Sequence, residues 1–223
     1  MSPPKKKPAT PPTAADVPKA VINRLSLYLR ELQRLDRSGK ETTNSQELGS
    51  LLGFTDAQVR KDLAHFGQFG YPGIGYRCDE LVRAIRAILG TDQEWLVVMV
   101  GVGNLGRALL GYKGFTQQGF RVVAAFDTDE EKVGQSIDDV PVHHLDDLAD
   151  VVSRNSIRLG MIAVPAAAAQ SVADRLVAAG IEGIVNFAPV MINLPENVSR
   201  VGVDLAIELE QLSFSVVKKS DSG

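Results

Sequence analysis

Two stretches of the chain carry different hydrophobic rhythms. From Pro18, a residue suited to a first helical position, apolar side chains recur at Ile22, Leu25, Leu29, Leu32 and Leu35. Arg24, Arg30, Glu31 and Arg34 fall between them, as on one helical face. Ser38-Gly39 stops this helix, and Asn44-Ser45-Gln46-Glu47 opens a second like a capping box, with Leu48, Leu51 and Leu52 apolar. After Gly53-Phe54, Thr55 caps a third helix whose Val59, Leu63 and Phe66 point inward. Gly67 to Tyr76, with four glycines and Pro72 among aromatics, predicts a tight β-hairpin with a projecting tip. A fourth helix runs from Asp79 to Leu89 and stops at Gly90. A short turn between the second and third helices, followed by a hairpin, describes a winged helix-turn-helix, whose second helix enters the DNA major groove.

From Trp95 the rhythm changes to short apolar runs alternating with helices, the pattern of a parallel sheet. Strands are expected at Trp95–Val100, Phe120–Phe126, Leu159–Val164, Gly183–Phe187 and Val201–Val203, with a helix over Ala166–Ala179. The fold class is therefore α/β, an N-terminal winged helix-turn-helix followed by a Rossmann-like parallel sheet. The final segment, with Leu205, Leu209, Leu212, Phe214, Val216 and Val217, is an apolar helix. Its pattern suits packing on its own sheet or exchange with a dimer partner.

The first strand enters Gly101-Val102-Gly103-Asn104-Leu105-Gly106, which opens a helix. A lone GxGxxG is weak, but here a second strand follows and ends in Asp127, 21 residues beyond Gly106. That approaches the spacing of about 20 at which an acid meets the adenine ribose hydroxyls. The glycines let backbone N–H groups approach a pyrophosphate at a helix N-terminus. Thr128, Asp129, Glu130 and Glu131 follow Asp127 without an arginine for a 2′-phosphate, which predicts NAD(H) over NADP(H).

Composition divides the 223-residue chain the same way. Residues 1–90 carry 14 Lys and Arg against 9 Asp and Glu, whereas 91–223 carry 10 against 18, so the halves suit different partners. Five prolines and Lys5-Lys6-Lys7 mark residues 1–17 as a disordered arm. The expected organisation is then 18–90 for DNA, 91–204 for the dinucleotide, and 205–223 for the last helix and tail. No apolar run reaches the roughly 20 residues of a membrane span. A single cysteine, Cys78, points to a reducing, cytoplasmic setting and is expected to be inert. His143-His144 lacks a nearby third ligand, so neither a metal site nor a catalytic residue is expected.

Taken together, Ser45-Gln46-Glu47-Leu48-Gly49, Gln58-Val59-Arg60-Lys61-Asp62-Leu63, Phe69-Gly70 through Gly73-Ile74-Gly75-Tyr76, the glycine motif and Asn186-Phe187-Ala188-Pro189 resemble the Rex family of redox-sensing transcriptional repressors. The resemblance spans about residues 17–217. It implies a homodimer on palindromic operator DNA, responding to NADH against NAD+, with the C-terminal helix swapped between protomers. It places Arg60 and Lys61 at bases and phosphates, with Ser45, Gln58, Gly73 and Tyr76 as further DNA contacts. Tyr112 and Phe187 become ring-lining aromatics of the cofactor site, and Arg30 and Asp204 an inter-domain pair that reports closure. The rivals are an NAD-dependent oxidoreductase, a CoA-ligase-like nucleotide-binding subunit, and a constitutive DNA-binding protein. Against an enzyme, little chain remains for a substrate domain, and no acid/base pair is positioned.

Overall fold

The computed structural model describes residues 17–220, and the expected arm, apart from Val17, lies outside them, as do the last three residues. The chain divides between Gln93 and Glu94 into two compact units.

The first unit contains α1 (Lys19–Arg37), β1 (Thr42–Thr43), α2 (Ser45–Leu52), α3 (Asp56–Ala64), β2 (Tyr76–Arg77) and α4 (Cys78–Leu89). Pro18 precedes the first helix as its cap, one position earlier than expected. Side-chain caps start the helix-turn-helix pair: Asn44 accepts the Glu47 N–H, and Thr55 accepts the Gln58 N–H. Leu25, Tyr28, Leu32, Leu48, Val59, Leu63, Leu81 and Ile85 form the buried interior of this unit.

The hairpin expected over Gly67–Tyr76 is reduced to a single bridge, Tyr71 with Gly75, around Pro72-Gly73-Ile74. Tyr76–Arg77 pairs antiparallel with Thr42–Thr43 instead. A glycine-rich stretch offers too few side chains to hold a ladder of its own, whereas two β-branched threonines form a ready edge. The wing is thus anchored through chain that precedes α2.

The second unit contains β3 (Trp95–Val100), α5 (Asn104–Leu110), α6 (Gly114–Gln117), β4 (Phe120–Asp127), β5 (Ser136–Ile137), β6 (Val140–His144), α7 (Leu148–Asn155), β7 (Leu159–Ile162), α8 (Ala166–Ala178), β8 (Gly183–Asn186), β9 (Ser199–Gly202) and α9 (Leu205–Ser220). One sheet runs β5-β6-β4-β3-β7-β8-β9, parallel except for β5. Its six parallel strands have the 3-2-1-4-5-6 order of a doubly wound dinucleotide fold, so the strand order reverses between β3 and β7 and a crevice opens at their carboxyl ends. Alternate β3 residues serve opposite faces: Val98 and Val100 pack with α7 and α8 residues, Val97 and Met99 with Val102 and Leu110.

The last strand is Ser199–Gly202 rather than Val201–Val203, and the β5–β6 hairpin and α7 carried no recognised signal. The hairpin turns on Asp138 and Asp139, both left-handed at φ 48° and 66°, where glycine or asparagine usually marks the turn. Every described side chain of α9 is exposed, including Leu205 at 71%, Phe214 at 70% and Leu209 at 66%. Packing on its own sheet is therefore excluded for this helix.

Candidate functional site

The α2–α3 pair presents the first candidate surface. Arg60 is exposed on α3, where its guanidinium donates to Asp56 Oδ2 (2.6 Å) and across the turn to Ser45 Oγ (3.2 Å). The pairing holds the Asp56 carboxyl below its ordinary range. Burial pushes the Tyr76 phenol up, while the Arg60 charge and the Ser45 hydroxyl oppose the rise. Ser45, Arg60 and Tyr76 therefore converge, beside a cleft of about 540 Å³ also lined by Asn44, Phe69 and Tyr71. Tyr76 itself is largely buried, so little of its ring is open to a ligand. Lys61 is exposed on α3, and Gly73 stands at the open tip of the wing.

Gln58 faces inward. Its amide donates to Asp62 Oδ1 (2.8 Å), within a cluster that periodicity did not reveal. Asp62 is 1% exposed and also receives two hydrogen bonds from Arg24 (2.6 and 2.8 Å) and one from the Tyr28 hydroxyl (2.7 Å). Burial would raise the Asp62 carboxyl, but these donors overcome it and hold the group below its usual value. Burial, and then the hydrogen bond to the charged Asp62, raise the Tyr28 phenol against the opposing charge of Arg24. The cluster ties the exposed helix α3 to α1. A carboxylate at the inward position beside Leu63 was the available signal.

The second candidate lies at the end of β3. Gly101 has φ 98°, and a Cβ there would overlap the Ala163 carbonyl at the end of β7. At Gly106 a Cβ would overlap the Gly101 carbonyl, so α5 can close on the loop only with glycine. At Gly103 a Cβ would meet nothing within 4 Å, which leaves an open cradle where the loop enters α5. Val102 N–H donates to Asp127 Oδ2 at 2.8 Å, and Val102 is fully buried; Asn104 and Leu105 form the exposed first turn of α5. Burial would raise Asp127, but the N–H groups of Val102 and Asp129, with Lys132, hold it low and charged. An anion cradle beside a charged acid fits a dinucleotide: N–H groups for pyrophosphate, a carboxylate for ribose hydroxyls.

Tyr112 is 55% exposed and meets Phe115 edge-on at 5.0 Å, while Phe187 is half-buried against the same side of the sheet. Asn186, 4% exposed, shapes the turn that carries Phe187, donating to the carbonyls of Ala188 and Val190 and accepting the Ala188 N–H. Asp204 accepts the Ala206 N–H at the start of α9, and Arg30 is exposed on α1. Cys78 is buried, and burial pushes its thiol up. His144 caps the turn before α7 by accepting the Asp146 N–H. Among the described residues, no three metal-ligating side chains converge, and no helix is long and apolar enough to cross a membrane.

A helix-turn-helix unit joined to a dinucleotide-binding sheet defines a nucleotide-responsive DNA-binding regulator. Two family models match along this division: "Putative DNA-binding protein N-terminus" over residues 16–64 and "CoA binding domain" over 92–190. The redox-sensing transcriptional repressor Rex of Pelotomaculum thermopropionicum is 47% identical over 206 residues, 92% of this chain and 97% of that one. The Rex repressor of Streptomyces coelicolor is 44% identical over 214 residues, 96% of this chain and 82% of the relative. Among solved structures, RSP in complex with β-NAD+ and operator DNA matches with a TM-score of 0.86 and 37% identity, covering 92% of this chain and 94% of that one. RSP in complex with β-NADH matches with a TM-score of 0.82 and 35% identity over 92% and 96%. The chain belongs to the Rex family of redox-sensing transcriptional repressors. The CoA description covers only the sheet unit, whereas similarity to Rex extends across both units.

Proposed function

We propose that this chain is a cytoplasmic homodimeric repressor that grips palindromic operator DNA through α3 and the wing and lets go when NADH replaces NAD+. The carrying observation is that one chain places an exposed Arg60 and Lys61 on a capped second helix and a glycine cradle facing a charged Asp127. Arg60 and Lys61 meet bases and phosphates, and Ser45 and the Gly73 tip add contacts. Gln58 serves by orienting α3 through Asp62. The exposed apolar surface of α9 supports dimerisation by exchange of this helix, because leaving it in water forfeits hydrophobic burial.

When bound, the nicotinamide supplies the signal, a ring that is positive when oxidised and neutral when reduced. Gly101, Val102 and Gly106 shape the loop, Gly103, Asn104 and Leu105 offer the open N-terminus of α5 to the pyrophosphate, and Asp127 takes the ribose hydroxyls. Tyr112 and Phe187 exclude water from the ring, and a dry aromatic wall penalises the charged form by desolvation. That difference in affinity is what shifts a two-state equilibrium. Arg30 and Asp204 carry the switch in this proposal.

The test is a band-shift titration of a palindromic duplex with NADH against NAD+. Release by NADH alone is expected, and Asp204→Ala should bind DNA yet respond poorly to NADH. Indifference to both nucleotides would leave a constitutive DNA-binding protein, and net consumption of NADH would revive the oxidoreductase. A normal NADH response in Asp204→Ala would remove that residue from the switch.

A further inference from the structure

Asp127 does not stand alone at the end of β4. The loop after it folds back so that Lys132 Nζ lies 3.3 Å from Asp127 Oδ2 and 3.1 Å from Asp129 Oδ2. Asp129 is fixed in turn: its N–H donates to Asp127 Oδ1 (3.0 Å), and its own Oδ1 accepts the Glu131 N–H (3.1 Å). Lys132 is therefore shared between two carboxylates, which leaves the cluster one net negative charge. Partly exposed ion pairs of this kind add little to stability, so the fold does not by itself account for the arrangement.

The chemistry of the neighbouring site accounts for it. An acid at the end of the second strand accepts ribose hydroxyls, and a nearby cation accommodates a 2′-phosphate. Arginine is absent just after Asp127, but Lys132 stands in the same cluster and could serve as that cation. Resting on the dinucleotide reading above, we propose that Asp129 is a specificity-determining residue: by neutralising Lys132 it denies a 2′-phosphate its cationic partner and makes the site select the unphosphorylated dinucleotide. Preference for NADH over NADPH then comes from two acids and a masked lysine, rather than from Asp127 alone. The pairing with Asp129 and Asp127 holds Lys132 firmly protonated, so the cation is present and only its partners withhold it.

The experiment measures NADH and NADPH binding by calorimetry, with operator release as a second readout. It compares the unaltered chain with Asp129→Asn, Asp129→Ser and the double variant Asp129→Asn/Lys132→Met. Both single variants keep an acceptor for the Glu131 N–H while removing the charge. The expected result is that affinity for NADPH relative to NADH rises roughly tenfold, the scale of one charge-assisted contact, and that the double variant reverses it. An unchanged ratio in the single variants overturns the proposal, as does a gain that persists without Lys132. Loss of binding to both nucleotides in both single variants would make Asp129 structural and also overturn it. If the unaltered chain binds neither nucleotide, the dinucleotide reading itself fails, a result distinct from binding with an unchanged ratio.

Discussion

The two units hold their working surfaces in place by opposite means. In the first, α3 is tied to α1 by a buried charge: Asp62, with four hydrogen bonds from Arg24, Tyr28 and Gln58. In the second, the glycine loop is held by close backbone approach, Gly106 against the Gly101 carbonyl and Gly101 against that of Ala163. Among the described residues, the buried polar side chain of the second unit is the neutral Asn186. A surface set by a buried ion responds to pH and tolerates no loss of a partner. A surface set chiefly by steric fit tolerates no added carbon, with the Asp127 carboxylate that accepts the Val102 N–H as a charged tie beside it.

The largest expected effect breaks the first arrangement. Asp62→Ala strands the buried Tyr28 phenol and a partly exposed Arg24 guanidinium. Losing one partner of a fully buried pair costs about 3–5 kcal/mol, and water around Arg24 sets the loss at about 3 kcal/mol. Urea unfolding followed on the first unit should show this loss, with operator binding reduced and nucleotide binding retained. The sign of the pH dependence follows from the depressed Asp62 carboxyl. Its contribution is fully present above the unfolded value of about 4 and is lost as pH falls through the lower folded value. Asp62→Asn should flatten that acid limb, and an unchanged acid transition would show that the ion is not what anchors α3.

Next in size is Gly106→Ala. The new Cβ overlaps the Gly101 carbonyl, and overpacking of this kind costs about 3 kcal/mol. Nucleotide binding should be lost at every pH, with operator binding less affected; a variant that still binds NADH normally would show that the loop has slack. Gly103→Ala is the control, because its Cβ meets no protein atom and should impair nucleotide binding while leaving thermal stability nearly unchanged.

Smallest is Arg60→Ala. Its ion pair with Asp56 is exposed, so stability should barely move. Operator affinity should fall by about 1–3 kcal/mol if Arg60 reads a base. Lys61→Ala, as a phosphate contact, should instead lower the salt slope by about one and weaken all sequences alike. Equal losses on operator and unrelated DNA for Arg60→Ala would move it from reader to phosphate contact.

Much of the fold was legible because its elements are locally encoded. The Asn44 and Thr55 caps, the apolar steps of α1 and α4, and the run Trp95–Val100 each announce an element without help from distant chain. The wing was misread because its strand pairs with Thr42–Thr43, more than thirty residues upstream, and a two-residue strand has no periodicity. The β5–β6 hairpin was missed because Asp138-Asp139 takes left-handed backbone without a glycine to mark it. The bond from the half-buried Gln58, a residue expected at DNA, to Asp62 one helical turn away was not legible, because the spacing does not show that the acid is buried.

By itself, then, the sequence determined two units, most of their main helices and strands, the glycine cradle and the acid that faces it. Those depend on spacing along one segment, where 3.6-residue and two-residue repeats and glycine positions are visible directly. Tertiary structure alone decided that Asp62 clamps α3 to α1, that Tyr76 is largely buried, that α9 lies uncovered, and that Lys132 is paired with Asp127 and Asp129. Each of those turns on the partner a charge or an apolar face meets, set by packing between segments or by how a loop folds back.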